Sequence, residues 1–263
     1  MNTSLTGVDG LATKSNVRNA ISEIVDHSTG YHQVFIFFST HGGGYNSLDN
    51  FIENGGYDQG GDEEDEVRES TVGEDINGDG QVTDDWVGID EVIEFNNWTE
   101  LYWDDELAND LSSITCQTMI VVIEACYSGG FIDDLSAYNR IILTATNETY
   151  YAHANGDNFG YWVQEFLNAL NGEVCVWDNG LVHTGQKVDA DYDNNGCVSI
   201  GEAQKYALEH DVAAYLGWEC PWLDDNGNKR PSYYLEGDHL DEKDRYLAKM
   251  TYINYCHPYQ NDC

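Results

Sequence analysis

The chain has 263 residues, 41% of them hydrophobic and 13% aromatic, enough for one large domain or one domain with a sizeable insertion. Its 48 Asp and Glu against 11 Lys and Arg leave a formal net charge of −37. Such a surface repels nucleic-acid phosphate and anionic membranes, which excludes both as partners. No run of 18 apolar residues is present to span a membrane, and the opening MNTSLTGVDG does not read as a signal peptide.

Residues 12–27 carry Val17, Ala20, Ile21, Ile24 and Val25 at helical spacing behind a Thr or Ser suited to cap, which predicts a helix. A strand, QVFIFFS at 33–39, follows and runs straight into Thr40, His41 and Gly42-Gly43-Gly44. Residues 45–100 read as an insertion rich in Asp, Glu and Gly, with 55–66 as acidic loop. Inside it Asp75, Asn77, Asp79 and Gln81 occupy the first, third, fifth and seventh places of a calcium loop, with Gly80 and Val82 also in place. Trp86 stands at the twelfth place instead of Glu, so this site is irregular. LYWDDELANDL at 101–111 reads as a helix with acids in its first turn, where the helix dipole favours them.

TMIVVIEACYSGG at 118–130 is the stretch around which the rest is organised. Met119 to Ile123 read as a strand buried on both faces of a mostly parallel sheet, ending in Glu124, Ala125 and Cys126. Open α/β sheets hold ligands at that carboxyl edge, and a neighbouring parallel strand 33–39 brings His41 to the same edge. A thiol is mostly protonated at neutral pH and needs such a partner to act as a nucleophile. The glycines behind each residue let backbone N–H groups approach a reacting carbonyl. The competing reading makes Cys126 a small buried apolar residue.

Further on, 140–145 reads as a third core strand, and GYWVQEFLNAL at 160–170 as an amphipathic helix with Trp162, Val163, Phe166, Leu167 and Leu170 inward. Asp191, Asp193, Asn195, Gly196, Cys197, Val198, Ser199 and Glu202 fit a twelve-residue EF-hand loop. Oxygens of Asp191, Asp193, Asn195, Ser199 and Glu202 and the carbonyl of Cys197 would surround Ca²⁺. A helix at 202–210 follows, whereas 179–190 reads as loop, giving a half hand; a solvated acidic turn is the alternative. Residues 211–263 read as an extension packed on a domain of residues 1–210. Seven cysteines (116, 126, 175, 197, 220, 256 and 263) suit one free nucleophile and three disulfides, or seven reduced thiols. The acidic surface and the cysteines point to an extracellular or cell-surface location.

FFSTHGG and IEACYSGGF resemble the His and Cys boxes of the caspase-like cysteine peptidases, the group of legumains, metacaspases, caspases and clostripain. The EAC form and LTATNETYYA at 143–152 are most similar to the legumain-like and prokaryotic caspase-domain branch, over about Leu5 to Glu209. The resemblance implies a three-layer α/β fold with a mostly parallel sheet flanked by helices and acidic loop insertions. It implies Cys126 as nucleophile, His41 as general acid/base, and backbone N–H groups of Gly42 and Cys126 as oxyanion hole. It places Glu124 and Asn147 in the pocket for the residue before the cut. Tyr161 stands where legumains carry an acid, a departure that puts strict asparagine specificity in question. Family order also places a strand, a helix and a second strand ahead of residue 12, so the chain is expected to begin inside its domain.

These readings converge on an endopeptidase acting on proteins or peptides through a thioester, dependent on or stabilised by Ca²⁺. Glu124 shares a strand face with Cys126 and favours Arg or Lys before the cut, with Asn second and Asp disfavoured by charge. The rival is a catalytically inactive Ca²⁺-binding surface or adhesion module on the same fold.

Overall fold

The computed structural model describes residues 10–45, 90–95, 100–154, 160–177, 181–229 and 246–253. The loop of Asp75, Asn77, Asp79 and Gln81 and the cysteines 256 and 263 lie outside the described residues. Along the chain the first half holds α1 (Lys14–His27), β1 (Gln33–Ser39), β2 (Gly42–Tyr45), β3 (Asp90–Phe95), β4 (Glu100–Trp103), α2 (Asp104–Ser112) and β5 (Thr118–Glu124). The second half holds α3 (Phe131–Leu135), β6 (Arg140–Thr144), α4 (Tyr161–Asn171), β7 (Glu173–Trp177), β8 (Leu181–Lys187), α5 (Ile200–His210), α6 (Val212–Tyr215), β9 (Trp222–Asp224) and α7 (Tyr246–Lys249).

The central sheet has the order β1-β5-β6-β9. β1 and β6 both run parallel to β5, and β9 closes the far side antiparallel. Every residue of β5 is buried, because successive side chains feed two different cores. Met119, Val121 and Ile123 join Ile21, Val34, Leu107 and Phe131 on the face covered by α1, α2 and α3. Ile120 and Val122 join Ile141, Leu143, Trp162, Phe166 and Ile200 on the face covered by α4 and α5. The architecture is therefore a mixed α/β fold in three layers with a mostly parallel sheet, consistent with a caspase-like fold.

Three local expectations are corrected. Residues 101–103 are strand, not helix: β4 pairs antiparallel with β3, and the helix waits for the acids of its first turn, Asp104, Asp105 and Glu106. Glu106 reaches back to the Trp103 N–H at 3.3 Å and closes the helix start. The insertion read over 45–100 is not loop at 90–95, which with 42–45 and 100–103 forms a second, antiparallel sheet of order β2-β3-β4. Residues 181–187 are not loop either. They pair antiparallel with β7, Trp177 standing opposite Leu181 and Cys175 opposite His183.

Scarce cations are spent where helices meet. Lys14 lies 2.5 Å from Glu106, and Arg18 reaches Glu106 and Asp110 at 2.7 Å each, tying α1 to α2. Cys116, Cys126, Cys175, Cys197 and Cys220 form no disulfide with one another, which rules out three bridges with Cys126 left over. Three such bridges need at least one pair within this set, and Cys256 and Cys263 can serve only two.

Candidate active site at the carboxyl edge of the sheet

β1 and β5 stand in register, with Ser39 opposite Glu124. The Thr40 N–H donates to the Glu124 carbonyl at 3.0 Å, which continues the ladder one step past the strand end. His41 and Cys126 each follow that register by two residues, so the topology delivers both to one edge. His41 is exposed and Cys126 half-buried. The Glu94 N–H donates to the His41 carbonyl at 3.0 Å, fixing this turn against β3. Beyond Cys126 the chain turns sharply through Tyr127, whose φ of 59° is unusual for a residue with a side chain. The Tyr127 N–H bonds the Tyr150 carbonyl at 2.9 Å, and the Cys126 thiol donates to the Ala152 carbonyl at 3.7 Å.

The glycines serve close packing. A Cβ on Gly42 would stand 2.2 Å from the Cys126 carbonyl oxygen and 3.0 Å from the Ala125 Cβ, so the two loops meet backbone to backbone. A Cβ on Gly129 would stand 2.5 Å from the Asn147 backbone, and one on Gly130 2.0 Å from the Glu91 carboxyl. Gly42→Ala must therefore push the His and Cys loops apart. We expect it to cost about 1–3 kcal/mol of stability, read by thermal unfolding, with peptide cleavage falling alongside. An unchanged Tm would show that the loops do not meet in this way.

Electrostatics hold the thiol protonated. Burial pushes Cys126 up first; its bond to Ala152 works the other way, and the carboxyls of Glu124 and Glu219 push it up again. To act as a nucleophile, such a thiol would need a base to take its proton. Glu124 is buried and is raised to about 8, by burial first and then by Asp211. Glu219 is raised to about 10, again by burial first and then by Asp211 beside it. Asp211 and Glu219 carried no signal in the sequence: neither has a motif spacing, and each lies far along the chain from Cys126. The one hint was an acid, Glu219, flanked by Trp218 and Cys220. The Asn147 side chain closes its own turn, its Oδ1 accepting from the N–H and hydroxyl of Thr149 at 2.9 and 3.1 Å. Tyr161, at the start of α4, donates its N–H to the His153 carbonyl at 2.9 Å.

A second cluster lies at the start of α5. Asp191, Asp193 and Glu202 offer carboxylate oxygens within 4.8 Å of one another, a group that could hold a metal ion. The loop is wound around them. Asp191 accepts from the N–H groups of Asn195 at 3.0 Å and Gly196 at 2.7 Å, and Glu202 from those of Asp193 at 3.1 Å and Ser199 at 2.9 Å. Gly196 takes φ +88°, which a side chain would resist. The Asn195 amide N–H₂ donates to the Tyr252 hydroxyl at 3.1 Å, leaving its Oδ1 on the loop, where the Cys197 N–H donates to it. The donors are hard oxygens, the class that Ca²⁺ takes.

Residues 85–171 match the model of the peptidase C13 family. No curated protein matches the chain. Among solved structures, a structural-genomics protein of Geobacter sulfurreducens aligns at 12% identity with a TM-score of 0.37, over 60% of this chain and 62% of that one. The chain thus spans less than two thirds of that relative. The family match runs from before β3 to the last residue of α4 and includes Cys126 and its strand; His41 lies upstream of it. Over that third of the chain the sequence is similar to the peptidase C13 family, the legumain family of the caspase-like clan, a match that supports a hydrolase of the cysteine-peptidase type.

Proposed function

We propose that the chain is a cysteine endopeptidase that cuts after Arg or Lys by a Cys126–His41 dyad. The observation that carries this reading is the in-register parallel pairing of β1 with β5, which sets His41 and Cys126 at one edge. His41 takes the thiol proton as sulfur attacks the scissile carbonyl, and backbone N–H groups around Gly42 and Cys126 receive the developing oxyanion. His41 then returns the proton to the leaving amine, and water hydrolyses the thioester with His41 as base. Glu124, buried two residues before the nucleophile, supports a basic residue before the cut. The test is cleavage of fluorogenic peptides ending in Arg, Lys, Asn or Asp. Equal or greater turnover of the Asn peptide would replace this specificity with the asparaginyl one that the family match favours.

Ca²⁺ would be held by Asp191, Asp193, Asn195, Ser199 and Glu202 with the Cys197 carbonyl, and at a second, irregular loop by Asp75, Asn77, Asp79 and Gln81. The first site ties α5 to the C-terminal segment, since the Ile200 N–H donates to the Thr251 carbonyl at 2.9 Å. Its role is therefore stability. Free Ca²⁺ a hundredfold above its Kd should add about 2.7 kcal/mol, a Tm rise of roughly 5–10 °C, and Asp193→Ala should remove it. The loop at 75–83 would order the insertion beside the cleft, and unchanged cleavage in excess chelator would sink that part.

A further inference from the structure

Three carboxyls from distant parts of the chain converge beside the thiol. Glu124, Asp211 and Glu219 are 6%, 2% and 2% exposed. Two of the three groups are half committed locally. Asp211 Oδ1 caps α6 by accepting from the Ala213 N–H at 2.8 Å, and Glu219 Oε2 accepts from the His153 N–H at 2.8 Å. Glu124 Oε1 lies where a Cβ on Gly160 would stand 1.6 Å away, so only glycine leaves room for it at the start of α4. The other oxygen of each, Glu124 Oε2, Asp211 Oδ2 and Glu219 Oε1, is buried with no donor. These groups face one another. Asp211 acts on both glutamates, and Glu219 feels Glu124. Cys126 feels both glutamates.

Buried carboxyl oxygens without hydrogen-bond partners are costly, and folded proteins seldom keep three together without a use. Among the described residues no Lys or Arg forms an ion pair with any of them. The titratable neighbours are His153, whose Nδ1 is 3.9 Å from Glu219 Oε2, and Glu165, which faces Asp211 and His210. His153 and the half-exposed Trp218 pack ring on ring at 5.8 Å above Glu219.

We propose that Glu124, Asp211 and Glu219 together receive the guanidinium of an arginine side chain, so that Asp211 and Glu219 are specificity-determining residues of the cleavage proposed above. As a substrate subsite the cluster rests on that reading; as a guanidinium site it stands without it. One free oxygen per carboxyl matches a planar group with five N–H donors, whereas Ca²⁺ seeks six to eight oxygens. The ammonium of Lys is more strongly hydrated and loses more on entering a buried site. Burial keeps a proton on Glu124 up to about pH 8, and binding a cation beside it would expel that proton, so affinity should climb with pH.

The probe is agmatine, a free guanidinium on an alkyl chain, against its neutral ureido analogue, titrated calorimetrically into the full chain. We expect agmatine to bind at least about tenfold more tightly than the analogue. Its affinity should rise by up to tenfold per pH unit between about pH 6 and 8, one proton being released, while the analogue stays flat. Asp211→Asn and Glu219→Gln should each weaken agmatine binding, and kcat/KM for Arg peptides, by about 10- to 100-fold. Cys126 should still react with iodoacetamide in both variants. Equal binding of agmatine and its analogue to the unmodified chain overturns the proposal, as does full Arg preference in both folded variants. The two readings fail separately. Agmatine binding without peptide cleavage would remove the peptidase and keep the cluster; Cys126-dependent cleavage after Asn without agmatine binding would do the reverse.

Discussion

Cys126→Ala will lower cleavage of an Arg peptide by at least about a thousandfold, to background, because the thioester forms on the sulfur that this substitution removes. His41→Ala will do nearly the same, since burial and two glutamates hold the thiol protonated and leave it dependent on a base. The two losses should not add, because the residues act as one unit. Thermal unfolding will separate chemistry from folding. Cys126 is half-buried with a single weak bond to the Ala152 carbonyl, so its replacement should change Tm little. Residual cleavage in Cys126→Ala would move the chemistry elsewhere. Absence of cleavage in the unmodified chain would favour the calcium-binding module.

The second large effect is on stability against pH, and it comes from Glu124. Its carboxyl lies near 4.5 when unfolded and near 8 when folded, raised by burial and then by Asp211. Between those values the folded chain binds more protons than the unfolded one, so stability falls as pH rises. The contribution is whole below about pH 4.5 and gone above about pH 8, on the order of a few kcal/mol across that window. Glu219 works in the same direction, and so does mutual repulsion of the acidic surface. Glu124→Gln should therefore raise Tm at pH 8 by roughly 5–10 °C, flatten the pH profile, and leave Tm at pH 4.5 nearly unchanged. It should also cost most of the Arg preference. A variant destabilised equally at every pH would make Glu124 an ordinary strand-end hydrogen-bonding group. Stability given up for a site that is occupied only during turnover is a familiar exchange.

The central strands were legible because a buried parallel strand needs an unbroken apolar run: 33–39 and 118–124 carry one and stand where expected. The helices over 14–27, 161–171 and 200–210 were legible by their 3.6-residue period and their caps, Thr13 and Ser199 among them. Segments whose residues suit two states were not. Leu101 to Trp103 are apolar enough for either a helix or a strand, and pairing with Val92 to Glu94 made them strand. Residues 42–45 are glycine-rich with no strand preference, yet they add to β3 because its edge is there to receive them.

By itself, then, the sequence determined the three parallel strands of the central sheet, which of their ends carry a thiol and an imidazole, and where carboxylates are spaced to hold a metal ion. Each of these is set by neighbours along the chain, through side-chain period, turn chemistry and ligand spacing. The grouping of Glu124 with Asp211 and Glu219 belongs to tertiary structure alone. Those residues stand on β5, at the cap of α6 and just before β9, and they meet only because α4 packs on α5 and β9 closes the sheet beside β6. No local rule relates side chains so far apart in sequence, and burial, which makes their charges matter, arises only when the layers close.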